Sequence, residues 1–324
     1  MGGHWLAELD GHRVIVEVAA SSANLGAGFD CVGVALALTN RIELEVRGWS
    51  RGAIELTIDG EGQDELTENR DNRFVRGLET AIVAARGEIP DGVGWRIAMD
   101  NKIPIARGLG SSAAATVAGI VAANALLGGP LTDAEQLRLA TEIEGHPDNA
   151  AAALMGGFVV ASSINGHVDA LRFNAPRDLR AVLFIPDLRL STPDMRKALP
   201  KNVPFADAVA NLGAVAVGVA GLASGRMDLL GRLTRDRLHE QYRAHVYPPL
   251  TRMVDAARDA GAIGACLSGA GSSILAFADS MADIARIEGA FTAVAGDTDL
   301  QGRIAVVEPR NAGAKVLHGR AKAV

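Results

Sequence analysis

The chain has 324 residues, of which 48% are hydrophobic and 22% charged, and its formal net charge is −6. A chain of this length buries about 75% of its unfolded surface, so it can fold as one large or two moderate domains without disulfides or metal. The negative charge disfavours nucleic acid and anionic membranes as partners. The two cysteines match no zinc or redox spacing, and the N-terminal stretch lacks the apolar core of a signal peptide, so a cytoplasmic protein is expected.

In the first half of the chain, alternating polarity predicts strands at residues 13–18, 41–46, 53–58 and 95–99. Apolar residues at helical spacing predict a helix across 71–86. A helix rich in small residues is predicted over 111–127. The capping box Thr132-Asp-Ala-Glu135 begins another helix, which runs toward Gly145 and is followed by an apolar strand at 158–162.

The second half shows a different order of elements, namely a strand at 181–186, helices at 205–223 and 250–260, and a strand at 274–278. We therefore predict a boundary near Ile164, with one domain over residues 1–164 and another over 165–324. Strands and helices do not alternate regularly, so the expected class is mixed α+β. The most apolar stretches, 113–127 and 209–223, are short for membrane spans and are predicted to be buried helices.

The most informative stretch is a glycine-rich turn that opens a predicted helix, Pro104-Ile-Ala-Arg-Gly-Leu-Gly-Ser-Ser-Ala-Ala-Ala115. Such a turn aims backbone N–H groups and the positive end of the helix dipole at one point, which suits a phosphate. Taken alone, the residues fit equally well a helix whose small side chains allow close packing. The chain has no P-loop NTPase motif, and a helix cap stands where a dinucleotide-binding fold needs a strand and an acidic residue.

Two further glycine-rich stretches accompany this turn. They are Val18-Ala-Ala-Ser-Ser-Ala-Asn-Leu-Gly-Ala-Gly-Phe-Asp30 and Cys266-Leu-Ser-Gly-Ala-Gly-Ser-Ser273. In this order and at these separations, the three motifs resemble those of the GHMP kinases. The resemblance implies an N-terminal domain like the second domain of ribosomal protein S5 and a ferredoxin-like C-terminal domain, with ATP between them. The family usually has proline where this chain has Ala19 and Ala27, a departure that concerns loop rigidity rather than catalysis.

The first motif, together with Glu144-Gly-His-Pro-Asp-Asn149, is similar to that of the superfamily members that phosphorylate L-homoserine. The resemblance therefore implies ATP-dependent, Mg²⁺-assisted phosphorylation of the L-homoserine hydroxyl, the step before threonine synthase, by a protein that is often a homodimer. Two alternatives stay open. One is a kinase of this superfamily for another small alcohol, such as a mevalonate-pathway intermediate, and the other is a binding protein that keeps the fold without turnover.

The resemblance also assigns residues to ATP and its metal. Asn72 would lie near adenine, although it is equally suited to cap a helix. Ser112 would reach Mg²⁺ and the phosphates, and a carboxylate would share the metal. Glu142 and Glu144 point to different sides of a helix, and Glu142 is favoured because it lies four residues before His146, as a similar Glu does in related kinases. The residues expected at ATP are Asn72, Pro104, Ile105, Ala106, Arg107, Gly108, Leu109, Gly110, Ser111, Ser112, Ala113 and Ala114.

Homoserine is a small zwitterion, so its site needs a cation for the carboxylate and an acceptor for the ammonium group. The resemblance gives Asp30 to the ammonium group, whereas Arg196 and Arg243 match positions whose guanidinium forks can clamp a carboxylate. The ordinary structural alternatives are a turn for the aspartate and surface ion pairs for the arginines. The residues expected at the substrate are Asn24, Asp30, Asn149, Thr192, Arg196, Arg243 and Gly269.

The residues expected to take part in catalysis are Ser112, Glu142 and Asn149. Mevalonate and galactose kinases have an aspartate at the position that matches Asn149, and an amide cannot act as a base. The resemblance therefore implies direct in-line transfer to the homoserine hydroxyl without a dedicated base. Asp148 is the alternative base, although a cap or structural role is favoured for it. His146 is expected to be structural because no carboxylate arrangement in the sequence marks it as a base.

Overall fold

The computed structural model describes residues 5–48, 52–66 and 69–318 of the chain. The ends of the two predicted domains, residues 1–4 and 319–324, lie outside the described residues. Two sheets with helices packed against them make up the fold. This arrangement confirms the mixed α+β class that the sequence predicts.

The first sheet has seven strands. They are β1 (Arg13–Ala23), β2 (Val32–Arg47), β3 (Ile54–Gly60), β4 (Gly94–Asn101), β5 (Phe158–Ile164), β6 (His167–Phe173) and β11 (Lys315–His318). The main path runs β11-β1-β2-β4-β3, and β5 and β6 extend the sheet from β2. Only β3 and β4 run parallel among these described pairs, and the others are antiparallel. Along β4 buried and exposed residues alternate, so one face of the strand packs into the core.

Four helices pack with this sheet. They are α1 (Arg73–Arg86), α2 (Ser111–Leu126), α3 (Asp133–Glu144) and α4 (Asp148–Met155). The predicted capping box of Thr132 and Glu135 is present at the start of α3. Helices α1 and α2 approach closely, since a Cβ on Gly119 would lie 2.1 Å from the carbonyl oxygen of Phe74. The small residues of α2 therefore serve close packing along the helix, while its N-terminal end is left for another role.

The second sheet is built from β7 (Arg180–Pro186), β8 (Gly264–Leu267), β9 (Ile274–Ala278) and β10 (Gly302–Val307). Its helices are α5 (Thr192–Lys197), α6 (Phe205–Ser224), α7 (Leu230–Leu233), α8 (Glu240–Arg243), α9 (Pro249–Asp259) and α10 (Met281–Asp297). The antiparallel order β10-β7-β9-β8 and the helical crossovers give the predicted ferredoxin-like domain. Met253 of α9 and Phe291 of α10 are buried in its core.

Two strands beyond Ile164 belong to the first sheet, since β6 pairs with β5 and β11 pairs with β1. Residues Asn165 and Gly166 both have positive φ and join β5 to β6 as a two-residue hairpin. The polar turn at the predicted boundary is thus a hairpin turn, and the chain passes to the second sheet between Phe173 and Arg180. The division into domains at Ile164 stays a prediction.

Helix α6 departs from the buried helix that its composition predicts. Its buried residues are Asn211, Gly218, Gly221 and Leu222, whereas Phe205 is 85% exposed. A run of alanine, valine and glycine does not specify which face of a helix packs, so the predicted burial of α6 was too high. Helix α2 has a similar composition and is buried along most of its length. Among the described helices α6 alone is long and apolar enough to cross a membrane, and for a single helix that property is weak support for a span.

Candidate active site

A cleft of about 760 Å³ is lined by residues from both halves of the chain. The turn before α2, the end of α3, the start of α5 and the loop between β8 and β9 form its walls. The N-terminal glycine-rich motif touches both loops, because the Ser21 N–H donates to the Leu109 carbonyl and the Gly269 N–H donates to the Ala23 carbonyl. The three motifs, which are far apart in sequence, therefore meet at one place.

The carbonyl groups of the turn before α2 are held by other elements. Those of residues 106–109 accept hydrogen bonds, in order, from the Leu190 N–H, the Ser273 N–H, the Ser268 hydroxyl and the Ser21 N–H. Helix α2 then begins after Gly110 without a side-chain cap. Its first-turn N–H groups have no partner within the helix, so they suit an anion in the cleft.

Two glycines allow neighbouring parts of the chain to pack closely against this turn. A Cβ on Gly108 would lie 2.0 Å from the Ser268 carbonyl oxygen, and one on Gly110 would lie 2.1 Å from Ser21 Oγ. Both glycines have positive φ, +72° and +69° respectively. Side chains at these positions would strain the backbone and push the three motifs apart, so the turn depends on glycine.

The carboxylate beside the glycine-rich turn before α2 is that of Glu144. Ser112 Oγ donates to its Oε1 at 3.0 Å, and Thr116 Oγ1 donates to the same oxygen at 2.7 Å. Its side chain is 7% exposed, whereas that of Glu142 is 56% exposed and pairs with Arg138 outside the cleft. Glu142, which the sequence favoured as the metal-sharing and catalytic carboxylate, does not line the cleft, because α3 turns it to solvent.

A signal for Glu144 is present in the sequence. Leu137, Ala140 and Thr141 are three of the five buried residues of α3, with Gln136 and Leu139 the other two. Glu144 lies on the same side as the first three of these, since residues at i, i+3, i+4 and i+7 share one side of a helix. The distance of Glu142 from His146 along the chain was a poorer guide than the helical period.

Most of the residues expected at ATP line the cleft. They are Asn72, Pro104, Ile105, Ala106, Gly108, Leu109, Gly110, Ser111, Ser112 and Ala113. Asn72 also caps α1, accepting the Phe74 N–H at 2.9 Å. Two expected residues do not line it: Ala114 is buried within α2, and Arg107 donates to the carbonyl groups of Pro186 and Asp187. Arg73, which sequence reasoning missed, lines the cleft 3.6 Å from Glu144.

At the other end of the cleft, two of the expected substrate residues bind each other. Arg196 of α5 donates through both terminal nitrogens to the Asp30 carboxylate, at 2.6 and 3.0 Å. Asn24 supports this end, since its Nδ2 donates to the Gly269 carbonyl and its Oδ1 accepts the Asp30 N–H. Thr192 lines the cleft at the start of α5.

Arg243 lies behind this pair and is 1% exposed. It donates to the Gly269 carbonyl at 2.9 Å and to His239 Nδ1 at 3.1 Å, while His239 Nε2 lies 2.8 Å from the Gly26 carbonyl oxygen. A guanidinium group only donates and a carbonyl only accepts, so His239 is neutral with its proton on Nε2. Burial lowers the pKa of His239 to about 4, which agrees with this assignment.

The Phe29 ring joins the two arginines. The guanidinium carbons of Arg196 and Arg243 lie 5.4 and 5.5 Å from its centroid, within the range of cation–π contacts. Its ring also lies 5.1 Å from that of His239. Sequence reasoning missed Phe29 and His239, although Phe29 stands inside the first motif and His239 precedes Arg243 by one helical turn.

His146 does have a carboxylate partner, contrary to the expectation from sequence. Its Nδ1 lies 2.9 Å from Asp148 Oδ1, and this hydrogen bond raises the pKa of His146. The same Asp148 oxygen accepts the Asn149 N–H, and Asn149 Oδ1 accepts the Ser21 hydroxyl at 2.9 Å. Asp30, His146 and Asp148 bring ligand-type atoms within 4.8 Å of one another. Each of the three already has a protein partner, so the group is a charge network.

One departure from the family pattern has a structural counterpart. The Ala27 N–H donates to the Leu233 carbonyl at 2.8 Å, which ties the first motif to α7. The proline that the family usually has at this position could not make this bond, because it lacks an N–H group.

Glu240 of α8 has a carboxyl group that is removed from solvent. Burial, with Asp236 nearby, raises its pKa from 4.5 to about 8, and its Oε1 accepts the Leu267 N–H at 2.6 Å. The folded chain holds a proton that the unfolded chain loses near pH 4.5, so stability falls as pH rises from about 5 to 8. We expect Glu240→Gln, which keeps the acceptor, to reduce this fall by roughly 1 kcal/mol or more.

Urea denaturation at pH 5 and pH 8 measures this effect. The exposed Glu88→Gln serves as the matched control and should keep the wild-type difference between the two pH values. An unchanged difference in Glu240→Gln would contradict the expectation.

Family models match both halves of the chain. The GHMP kinases N terminal domain matches residues 73–157, and the GHMP kinases C terminal model matches residues 218–296. Among solved structures, a homoserine kinase from Cytophaga hutchinsonii has a TM-score of 0.83 and 30% identity, covering 94% of this chain and 98% of that one. L. major mevalonate kinase in complex with R-mevalonate, with a TM-score of 0.64 and 18% identity over 90% of this chain and 95% of its own, shares the fold. The fold is thus that of a GHMP kinase.

Curated relatives identify the family to which the chain belongs within the GHMP kinases. The homoserine kinases of Moorella thermoacetica and Caldicellulosiruptor bescii are each 43% identical to this chain, over 81% and 84% of it and 86% of each relative. The chain belongs to the homoserine kinase family.

Proposed function

We propose that this protein transfers the γ-phosphoryl group of ATP to the side-chain hydroxyl of L-homoserine, forming O-phospho-L-homoserine and ADP for threonine biosynthesis. The observation that carries the proposal is the pairing of Asp30 with Arg196, which lines the cleft that also contains the glycine-rich turn. An acidic and a basic group side by side match the two charges of an amino acid. The turn and the start of α2 match the phosphates.

The residues present fit ATP with Mg²⁺. The start of α2 has no side-chain cap, and Gly108 and Gly110 let the Ser268 carbonyl and the Ser21 hydroxyl pack against the turn that precedes it. The Ser112 hydroxyl and the Glu144 carboxylate are oxygen ligands of the kind that Mg²⁺ prefers. The ion would neutralise negative charge on the phosphate oxygens as the γ-phosphoryl group transfers. Arg73, beside Glu144, adds a positive charge to this end of the cleft.

We infer that transfer is direct and in line, without a dedicated base. The homoserine oxygen forms a bond to the γ-phosphorus as the bond to the bridging oxygen of ADP breaks, and the hydroxyl proton passes to an oxygen of the transferred phosphoryl group. The role of the chain is to position the hydroxyl and to stabilise charge, which is what phosphoryl transfer mainly requires. Asn149 offers an amide at this point, and the buried Asp148 is engaged by His146 and by the Asn149 N–H.

Asn149→Ala tests the proposed absence of a base. We expect the KM for L-homoserine to rise roughly tenfold, because a hydrogen bond that positions the hydroxyl is lost, while the pH profile of kcat keeps its shape. The profile of the variant is compared with that of Asn124→Ala, whose side chain bonds Leu131 away from the cleft. Disappearance of an ionisation in Asn149→Ala would point to Asp148 and His146 as a proton acceptor.

The proposed function is tested by measuring ADP release from Mg·ATP with L-homoserine, mevalonate, galactose, L-serine or no acceptor. Turnover with L-homoserine alone is the expected result. Turnover with another alcohol would keep the kinase and refute the roles of Asp30 and the arginines. No turnover with any acceptor, with ATP still bound, would favour a binding protein. A homodimer in the cytoplasm, with no nucleic acid or membrane partner, completes the proposal.

A further inference from the structure

The pair formed by Asp30 and Arg196 links distant parts of the chain. Asp30 ends the N-terminal motif, Arg196 lies in α5, and both side chains are about one-third exposed. The pair is bidentate, so each group engages both of its partner's terminal atoms. The pair uses the end-on fork of the Arg196 guanidinium and one lone pair on each Asp30 oxygen, so a ligand that takes that fork must open the pair.

The surroundings of the pair hold further charges of both signs. The Asp30 carboxylate lies within 4.8 Å of ligand-type atoms of His146 and Asp148. On the other side, Arg243 shares the Phe29 ring with Arg196. Opening the pair would leave the Asp30 carboxylate without a cation and the Arg196 guanidinium without an anion, while Asp148 keeps His146 and Arg243 keeps Gly269 and His239. A ligand that opens it must therefore supply both charges.

We propose that Asp30 and Arg196 form a charge-pair gate, which a zwitterion opens by exchanging one internal ion pair for two intermolecular ones. The inference rests on the proposed function, in which the ammonium group of the substrate binds Asp30 and its carboxylate binds Arg196. The gate makes the two charges of the ligand act together. A ligand with one charge breaks the pair but binds only Asp30 or only Arg196, and the other residue is left without a partner. Its affinity is therefore lower than the sum of two independent contacts predicts.

Two single-charge probes separate this gate from two independent contacts. 4-Hydroxybutanoate keeps the hydroxyl and carboxylate of homoserine, and 3-aminopropan-1-ol keeps the hydroxyl and the ammonium group. In Asp30→Asn the guanidinium of Arg196 is released, so 4-hydroxybutanoate should bind about two- to fivefold more tightly than to the wild type. L-Homoserine should bind roughly 10- to 100-fold more weakly to the same variant, because its ammonium partner is lost.

The reciprocal variant is Arg196→Gln, in which 3-aminopropan-1-ol should bind more tightly for the same reason. Independent contacts would instead change each single-charge probe only through the removal of a nearby like charge, an effect that high salt screens, whereas the gate predicts a gain that persists at high salt. Asparagine tolerates the positive φ of Asp30, +55°, so Asp30→Asn is compatible with the local backbone. An unchanged KM for ATP verifies that the cleft is intact.

The matched control is Asp228→Asn, which removes another bidentate pair, that with Arg226, outside the cleft. Titration calorimetry with the full chain and Mg·ADP measures each probe at low and high salt. Equal or weaker binding of 4-hydroxybutanoate to Asp30→Asn at high salt, with L-homoserine still bound by the wild type, overturns the gate alone. Wild-type protein that binds no L-homoserine but phosphorylates another alcohol overturns the proposed function and the gate together.

Discussion

Replacing Glu144 by Gln is expected to lower the turnover of Mg·ATP and L-homoserine on the order of 100-fold. The carboxylate lies 3.0 Å from the Ser112 hydroxyl at the start of α2, where the phosphates would bind. An amide keeps the size of the side chain and a hydrogen bond to Ser112 but removes the negative charge that would hold the metal. The Mg²⁺ concentration for half-maximal activity should rise as well. Initial rates at a series of free Mg²⁺ concentrations measure both effects.

Glu142→Gln is the matched control, on the same helix and two residues away. Its partner is Arg138, its side chain is 56% exposed, and its change should leave both kinetic quantities as in the wild type. A loss at Glu142 with tolerance at Glu144 would refute the placement of the metal. Thermal unfolding separates a kinetic effect from a folding defect, since Glu144 also accepts from Thr116.

Gly108→Ala should abolish most of the activity and destabilise the fold. The new Cβ would meet the Ser268 carbonyl oxygen at 2.0 Å, at a residue whose φ is +72°. The positive φ alone costs about 1–2 kcal/mol for alanine, and the backbone contact adds to it by separating the turn from the β8–β9 loop. We expect the KM for ATP to rise on the order of tenfold or more, because the phosphate-facing N–H groups lose their alignment.

Gly129→Ala measures how much a positive φ alone lowers the stability, without a steric contact. This glycine has φ of +82°, and nothing lies within 4 Å of the Cβ position. It should lose a similar increment of stability to the backbone while keeping the wild-type KM for ATP. Equal KM values for the two variants would show that the contact between Gly108 and Ser268 does not position the phosphate turn. Urea denaturation and ATP saturation curves supply the two readouts.

The choice between the two glutamates shows how far sequence reasoning reaches at this site. Because they are two residues apart on a helix, the sequence establishes that only one faces Ser112. The buried residues Leu137, Ala140 and Thr141 indicate Glu144, and the structure agrees. The 3.6-residue period of the helix was a better guide to the glutamate that faces Ser112 than the number of residues between Glu142 and His146. The hairpin turn at Asn165 and Gly166 was equally local and equally readable.

The α+β class, the three glycine-rich motifs and the family they resemble are all predicted from the amino-acid sequence. Those features depend on local chemistry: positive φ at glycine, small residues in a close-packed helix, and hydroxyls beside a helix start. Two contacts could not be predicted from the sequence and are seen in the folded structure. Asp30 binds Arg196, 166 positions away, and His239 bonds both Arg243 and Gly26. The exposure of α6 is likewise seen only in the folded structure. These contacts depend on how two sheets pack, and no spacing along the chain encodes the angle between them.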